Sequence, residues 1–113
     1  MASKSDAKKN IAKGQRLLGQ TLSATGEHAA AAEAITVAVD VARDIGNPTQ
    51  LWKSLAALGD VRMAAGDAAG AEQAFAEALT VIDDVASGLS DAALRDTFLG
   101  SAPVQRIRTT AAV

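Results

Sequence analysis

The stretch LGDVRMAAGDAAGAEQAFAEAL, residues 58–79, decides how the chain is read. It is rich in alanine, the best helix former, yet Gly59 stands where a helix should run. A glycine in a helix interior costs about 1 kcal/mol relative to alanine. Further on comes Gly66-Asp67, a turn followed by a capping residue. The stretch therefore divides into the end of one helix and the start of another. In such a hairpin the two helices approach most closely where one side chain is missing. A bulky residue on the second helix can fill that gap, and the contact offsets the propensity cost of Gly59.

Working outward, the pattern occurs twice. A shift of forty residues lays QRLLGQTLSATGEHAAAAEAITVAVDV (15–41) on LAALGDVRMAAGDAAGAEQAFAEALTV (55–81). Leu18 meets Leu58, Gly19 meets Gly59, and Gly26 meets Gly66. Ile35 meets Phe75 and Val39 meets Leu79, apolar for apolar. Alanines match by chance in such a composition, so the Leu-Gly pair and the second glycine carry the signal.

The composition agrees with helices packed at close range. Of 113 residues 49% are hydrophobic, but the aromatics are two Phe and one Trp. The core must be built from Ala, Leu, Val and Ile. A chain of this length supports one domain with a single core. Without cysteine there is no disulfide and no thiolate metal site. The start, MASKSDAKKN, is charged with no apolar stretch behind it, so no signal peptide is expected. The longest uncharged run, Leu17 to Gly26, is far short of the roughly 20 residues that span a bilayer. A soluble, cytoplasmic protein is the expectation.

Net charge is −2, unevenly spread. Met1 to Arg16 carries Lys4, Lys8, Lys9, Lys13 and Arg16 against Asp6, the tail adds Arg106 and Arg108, and every other acid lies between Leu17 and Gly100. Basic ends on an acidic body either meet an acidic partner or are simply solvated.

The punctuation gives the elements. Ser5 or Asp6 is expected to cap a first helix that runs to about Ala24, with Thr25-Gly26-Glu27 as the turn. A second helix runs from about His28 to Ile45. Gly46 stops it, Asn47 caps the next, and Pro48 suits that helix's first turn. The third helix reaches about Ala65, and Asp67 caps a fourth that ends near Ala86. Ser90 is expected to cap a fifth through Leu99, with residues 101–113 as a tail beyond it. The buried stripe is Leu55, Leu58 and Val61-Arg62 on the third helix. On the fourth it is Ala71, Ala74, Phe75, Ala78, Leu79 and Ile82.

Leu58-Gly59, Gly66-Asp67, Ala71, Phe75 and Ala78 resemble a tetratricopeptide repeat, whose pattern is W-x2-L-G-x2-Y, then A-x3-F, then a closing proline. Leu55 stands at the Trp place, Arg62 at the Tyr place and Asp83 at the Pro place. The first unit fits more loosely, through Gln15, Leu18, Gly19, Leu22, Gly26, Ala31, Ile35 and Ala38. The spacing is forty residues where the family uses about thirty-four, so each second helix is longer. The segment LSDAALRDTFLGSAPVQRI (89–107) is similar to tails that close such repeats in large bacterial signalling regulators and ATPases, through Leu94, Arg95, Phe98 and Leu99. The expected architecture is all-α. Two tetratricopeptide-like hairpins, about 7–45 and 48–86, stack in a right-handed superhelix, and a capping helix at about 90–100 closes them.

The resemblance implies an interaction module that holds a peptide or helix on its concave face. By residue-for-residue carry-over, Lys13, Arg16, Gln20 and Ser23 line that face from the first unit. Lys53, Ala56, Asp60 and Met63 line it from the second. Lys13 and Lys53 occupy equivalent places, which favours an acidic or carboxylate-bearing ligand; two unrelated solvated lysines are the plain alternative. The chaperone-tail clamp of some members does not carry over. Ala57 replaces its second-unit Asn, and Leu94 and Phe98 stand where cations are required.

Other chemistry finds little support. His28 is the sole histidine, and Glu33 lies off its helical face, so no catalytic or metal-binding pair forms. Gly14 to Gly19 has the glycine spacing of a phosphate loop but lacks the Lys and Ser/Thr that must follow. Asp83-Asp84 and Glu72 with Glu77 read as solvated carboxylates. The tail QRIRTT has two arginines and no interleaved aromatics, which gives no nucleic-acid signature. Trp52 is expected to cover the seam between repeats. The chain is thus expected to be a non-enzymatic binding module without cofactor, metal, nucleic acid or membrane. Because stacked repeats generally need three or more units, the alternatives are a self-associating module, such as a homodimer, or a scaffold piece of a larger regulator.

Overall fold

Three interhelical turns of one design set the architecture. The computed structural model describes residues 4–111, folded as α1 (Lys4–Ala24), α2 (His28–Asp44), α3 (Pro48–Ala64), α4 (Ala68–Ser87), α5 (Ala92–Leu99) and α6 (Ala102–Ala111). Gly26, Gly46 and Gly66 close α1, α2 and α3 with φ of 86°, 63° and 83°, the left-handed region that a Cβ disfavours. After each glycine the next N–H turns back to the helix. Glu27 donates to Leu22 O at 2.9 Å, Asn47 to Ala42 O at 3.0 Å and Asp67 to Arg62 O at 2.8 Å. These bonds satisfy carbonyls that a helix end leaves open. The Asn47 and Asp67 side chains then accept from the N–H groups of Gln50 and Gly70, each 3.0 Å away, and so start the next helix.

The chain is therefore all-helical over the described residues, as two antiparallel hairpins, α1–α2 and α3–α4, with α5 and α6 after them. Together they make a slab of 43 × 42 × 19 Å. The forty-residue shift is realised in space. A Cβ on Gly59 would lie 2.7 Å from two ring carbons of Phe75, and one on Gly19 would lie 2.7 Å from Ile35 Cδ1. Each hairpin thus brings its helices together at an equivalent glycine, against a large apolar residue at an equivalent position. Ala31, Ala38, Ala71 and Ala78 are fully buried along these seams, which is why an alanine-rich chain suffices for a tight core.

Two apolar clusters follow. Ala31, Ile35, Ala57, Leu58, Val61 and Ala74 join the hairpins to each other. The other cluster centres on Trp52, Leu55, Phe75 and Ile82 and takes in Val104 and Ile107.

The sequence reading is corrected at several places. The segment expected as a tail holds α6, which buries Val104 and Ile107 against the second hairpin. Pro103 sits in the first turn of this helix, where no backbone N–H is needed. Asp91, not Ser90, caps α5, accepting from Ala93 and Leu94 N–H. α1 begins at Lys4, so Ser5 and Asp6 fall within the helix and not at the position before it. Trp52 seals a different seam from the one expected. It is buried, and its ring meets Phe98 of α5 edge-on at 6.2 Å, under the C-terminal helices.

Candidate functional site

Facing residues of α1, α3 and α6 enclose a cleft of about 220 Å³. The helical spacing of Arg16 and Gln20 on α1, and of Lys53, Ala56 and Asp60 on α3, turns these side chains to one side. Arg16, Gln20, Lys53, Ala56 and Asp60 all line the cleft, and α6 adds Pro103, Arg106 and Ile107 as its third wall. Lys13, Ser23 and Met63 are not among its lining residues. Lys13 and Met63 are exposed elsewhere on α1 and α3, and Ser23 is half-buried.

The cations in the cleft differ in how far they are committed. Arg16 is half-buried, and its Nη1 donates to Gln50 Oε1 at 2.7 Å and Ser54 Oγ at 3.3 Å. Burial lowers its guanidinium pKa from the usual value. Gln50 and Ser54 are the buried polar residues of α3, so Arg16 supplies what their desolvated side chains require. This contact ties the first hairpin to the second. Arg106 is paired differently, with both guanidinium nitrogens on the Asp60 carboxylate at 3.1 and 3.2 Å. Lys53 makes no ion pair among the described residues. Its Nζ lies 5.8 Å from the centre of the Trp52 ring, within range of a cation–π attraction. Arg16, Lys53 and Arg106 against Asp60 leave the cleft with a positive excess.

Trp52 also borders a second hollow of about 460 Å³, walled by Val85, Leu89, Leu94, Phe98 and Pro103. The Trp52 Nε1 is buried with no hydrogen-bond partner among the described residues.

Other readings of the sequence can be placed. Gly14 to Gly19 lies inside continuous α1 helix, so no phosphate loop exists there. His28 is half-buried at the first residue of α2. Asp83 receives a bond from Arg108 at 3.4 Å. Among the described residues no group of three His, Cys, Asp or Glu could hold a metal ion, and no helix is long and apolar enough to cross a membrane.

The sequence reading missed Arg106 and its wall of the cleft. Val104 and Ile107, three apart behind a proline, were the available signal for a short amphipathic helix. A scan against protein-family models and searches of curated proteins and solved structures find no match to this chain.

Proposed function

We propose that this chain is a tetratricopeptide-like interaction module without enzymatic activity, which holds a carboxylate-bearing peptide or helix in the cleft between α1, α3 and α6. The observation that supports this most is the convergence of Arg16, Gln20, Lys53 and Asp60, from both hairpins, on one surface recess. Two structurally repeated hairpins joined by like turns support the family likeness. Lys53, with no carboxylate of its own among the described residues, is the natural first contact for an incoming anion. Arg106 can exchange Asp60 for a ligand carboxylate at little cost, because an exposed ion pair is worth only about 0–1 kcal/mol.

Trp52 is the only tryptophan in the sequence and lies in the cleft wall, so its fluorescence reports occupancy. Titration with a short oligoglutamate peptide is expected to give a saturable change that disappears in Lys53→Glu. No change, or the same change with oligolysine, would overturn the proposal.

A further inference from the structure

The outer face of the first hairpin matches a surface that this same chain buries elsewhere. Ile11, Gly14, Leu17, Leu18 and Thr21 share one side of α1 at helical spacing, and all are exposed. Forty residues on, the same positions on α3 are Leu51, Ser54, Ala57, Leu58 and Val61. There the face is covered: Leu58 is 5% exposed against 48% for Leu18, and Ala57 4% against 61% for Leu17. What covers it is the preceding hairpin, through Ala31 and Ile35 of α2 and the Arg16 bonds from α1. On α2, exposed Val37 occupies the place of Glu77, which in the second hairpin meets Arg43 of the first. Ile11, Leu17, Leu18 and Val37 are thus large apolar residues on one end face with no hairpin against it. Met63 and Leu94, the other exposed large hydrophobics among the described residues, belong to other elements.

We propose that a second copy of this chain docks on this face, the two end faces meeting about a two-fold axis to form a homodimer. Charge favours that occupant. Lys13 stands one turn before Leu17 at the edge of this face, and α1 carries no acid over residues 7–24, whereas α2 exposes Glu33, Asp40 and Asp44 against Arg43 alone. Lys8 already holds Asp44 within the chain, at 2.7 Å. Lys13, Glu33 and Asp40 make no ion pair among the described residues. Laying α1 of one copy across α2 of the other opposes these charges around an apolar centre, in both halves at once. A head-to-tail arrangement offers no such match, since α5 and α6 cover the far end with Val104 and Ile107 turned inward. Face-to-face docking closes, as two-fold interfaces do, and it buries a contiguous apolar patch of the kind that marks interaction sites. It uses none of the cleft's cations, since Arg16 is turned to Gln50 and Ser54 of the second hairpin, so it stands or falls separately from the cleft.

Light scattering across a concentration series tests this directly. The wild-type chain is expected to show twice its 11.4 kDa mass and a melting temperature that rises with concentration, because association stabilises only the folded form. Leu17→Glu with Leu18→Glu should give the single-chain mass, with helical circular dichroism retained and a concentration-independent melting temperature. Leu94→Glu, outside the face, should remain dimeric. Should the double variant fail to fold, Leu17→Glu alone serves, since this side chain is already 61% exposed. A wild-type chain that stays single at every concentration, a larger open assembly, or a folded Leu17 variant that dimerises as well as wild type would each overturn the proposal.

Discussion

Gly59 of α3 lies so close to Phe75 of α4 that a Cβ there would fall 2.7–2.9 Å from three of its ring carbons. Gly59→Ala is therefore expected to destabilise, although alanine gains about 1 kcal/mol of helix propensity. Overpacking a tight core costs roughly 1–3 kcal/mol, and Phe75 is 2% exposed, with little room to retreat. Urea unfolding should show a net loss for Gly59→Ala and partial recovery in Gly59→Ala with Phe75→Leu. Additive losses in the double variant would dissolve the close-approach account, because touching residues are expected to couple.

The repeat predicts a second glycine of the same kind. A Cβ on Gly19 would meet the Ala31 carbonyl oxygen at 2.9 Å as well as the Ile35 side chain. Backbone cannot swing aside as a side chain can, so Gly19→Ala should cost at least as much stability as Gly59→Ala. A neutral or stabilising Gly19→Ala in the same denaturant assay contradicts the structural equivalence.

Arg16 should matter to stability where Arg106 does not. Removing the Arg16 head group leaves Gln50 and Ser54 buried without their donor, a loss of roughly 1–3 kcal/mol. Arg106 and Asp60 have about half their side-chain surface exposed, and such pairs contribute about 0–1 kcal/mol. Comparing the urea midpoints of Arg16→Met and Arg106→Gln checks this order, and equal midpoints would refute it.

The last helix should behave as core. Ile107 is 1% exposed against α3 and α4, and Ile→Ala at such a site costs about 2–5 kcal/mol. Thermal melting of Ile107→Ala should show that loss, while Thr109→Ala on the exposed side should change little. An unchanged melting temperature for Ile107→Ala would return residues 101–113 to the status of a tail.

What was legible in the sequence was local and punctuated. Gly26, Gly46 and Gly66 each need a left-handed backbone, and Asn47 and Asp67 follow as caps, so three turns could be placed within a residue or two. Gly59 pointed to a close contact because its propensity cost demanded a reason, and the forty-residue shift supplied Phe75 and Ile35 as partners. The miss at α6 has a physical cause: Pro103 reads equally as a helix breaker or as a first-turn residue, and burial of Val104 and Ile107 decides between them. Trp52 could not be assigned its seam for the same reason, since its partner Phe98 lies on the short α5. Of the site residues carried over from the tetratricopeptide resemblance, Arg16, Gln20, Lys53 and Asp60 line one cleft. The resemblance could not show that Arg16 is held by buried Gln50 and Ser54, or that Lys13 and Met63 lie away from the cleft.

The most direct measurement for the binding account is an amide chemical-shift titration of the labelled chain with a short oligoglutamate peptide. Saturable shifts should centre on Arg16, Gln20, Lys53, Ala56, Asp60 and Arg106, and Lys53→Glu should remove them. Absent shifts, or shifts centred away from α1, α3 and α6, would contradict the assignment of the cleft as the binding site.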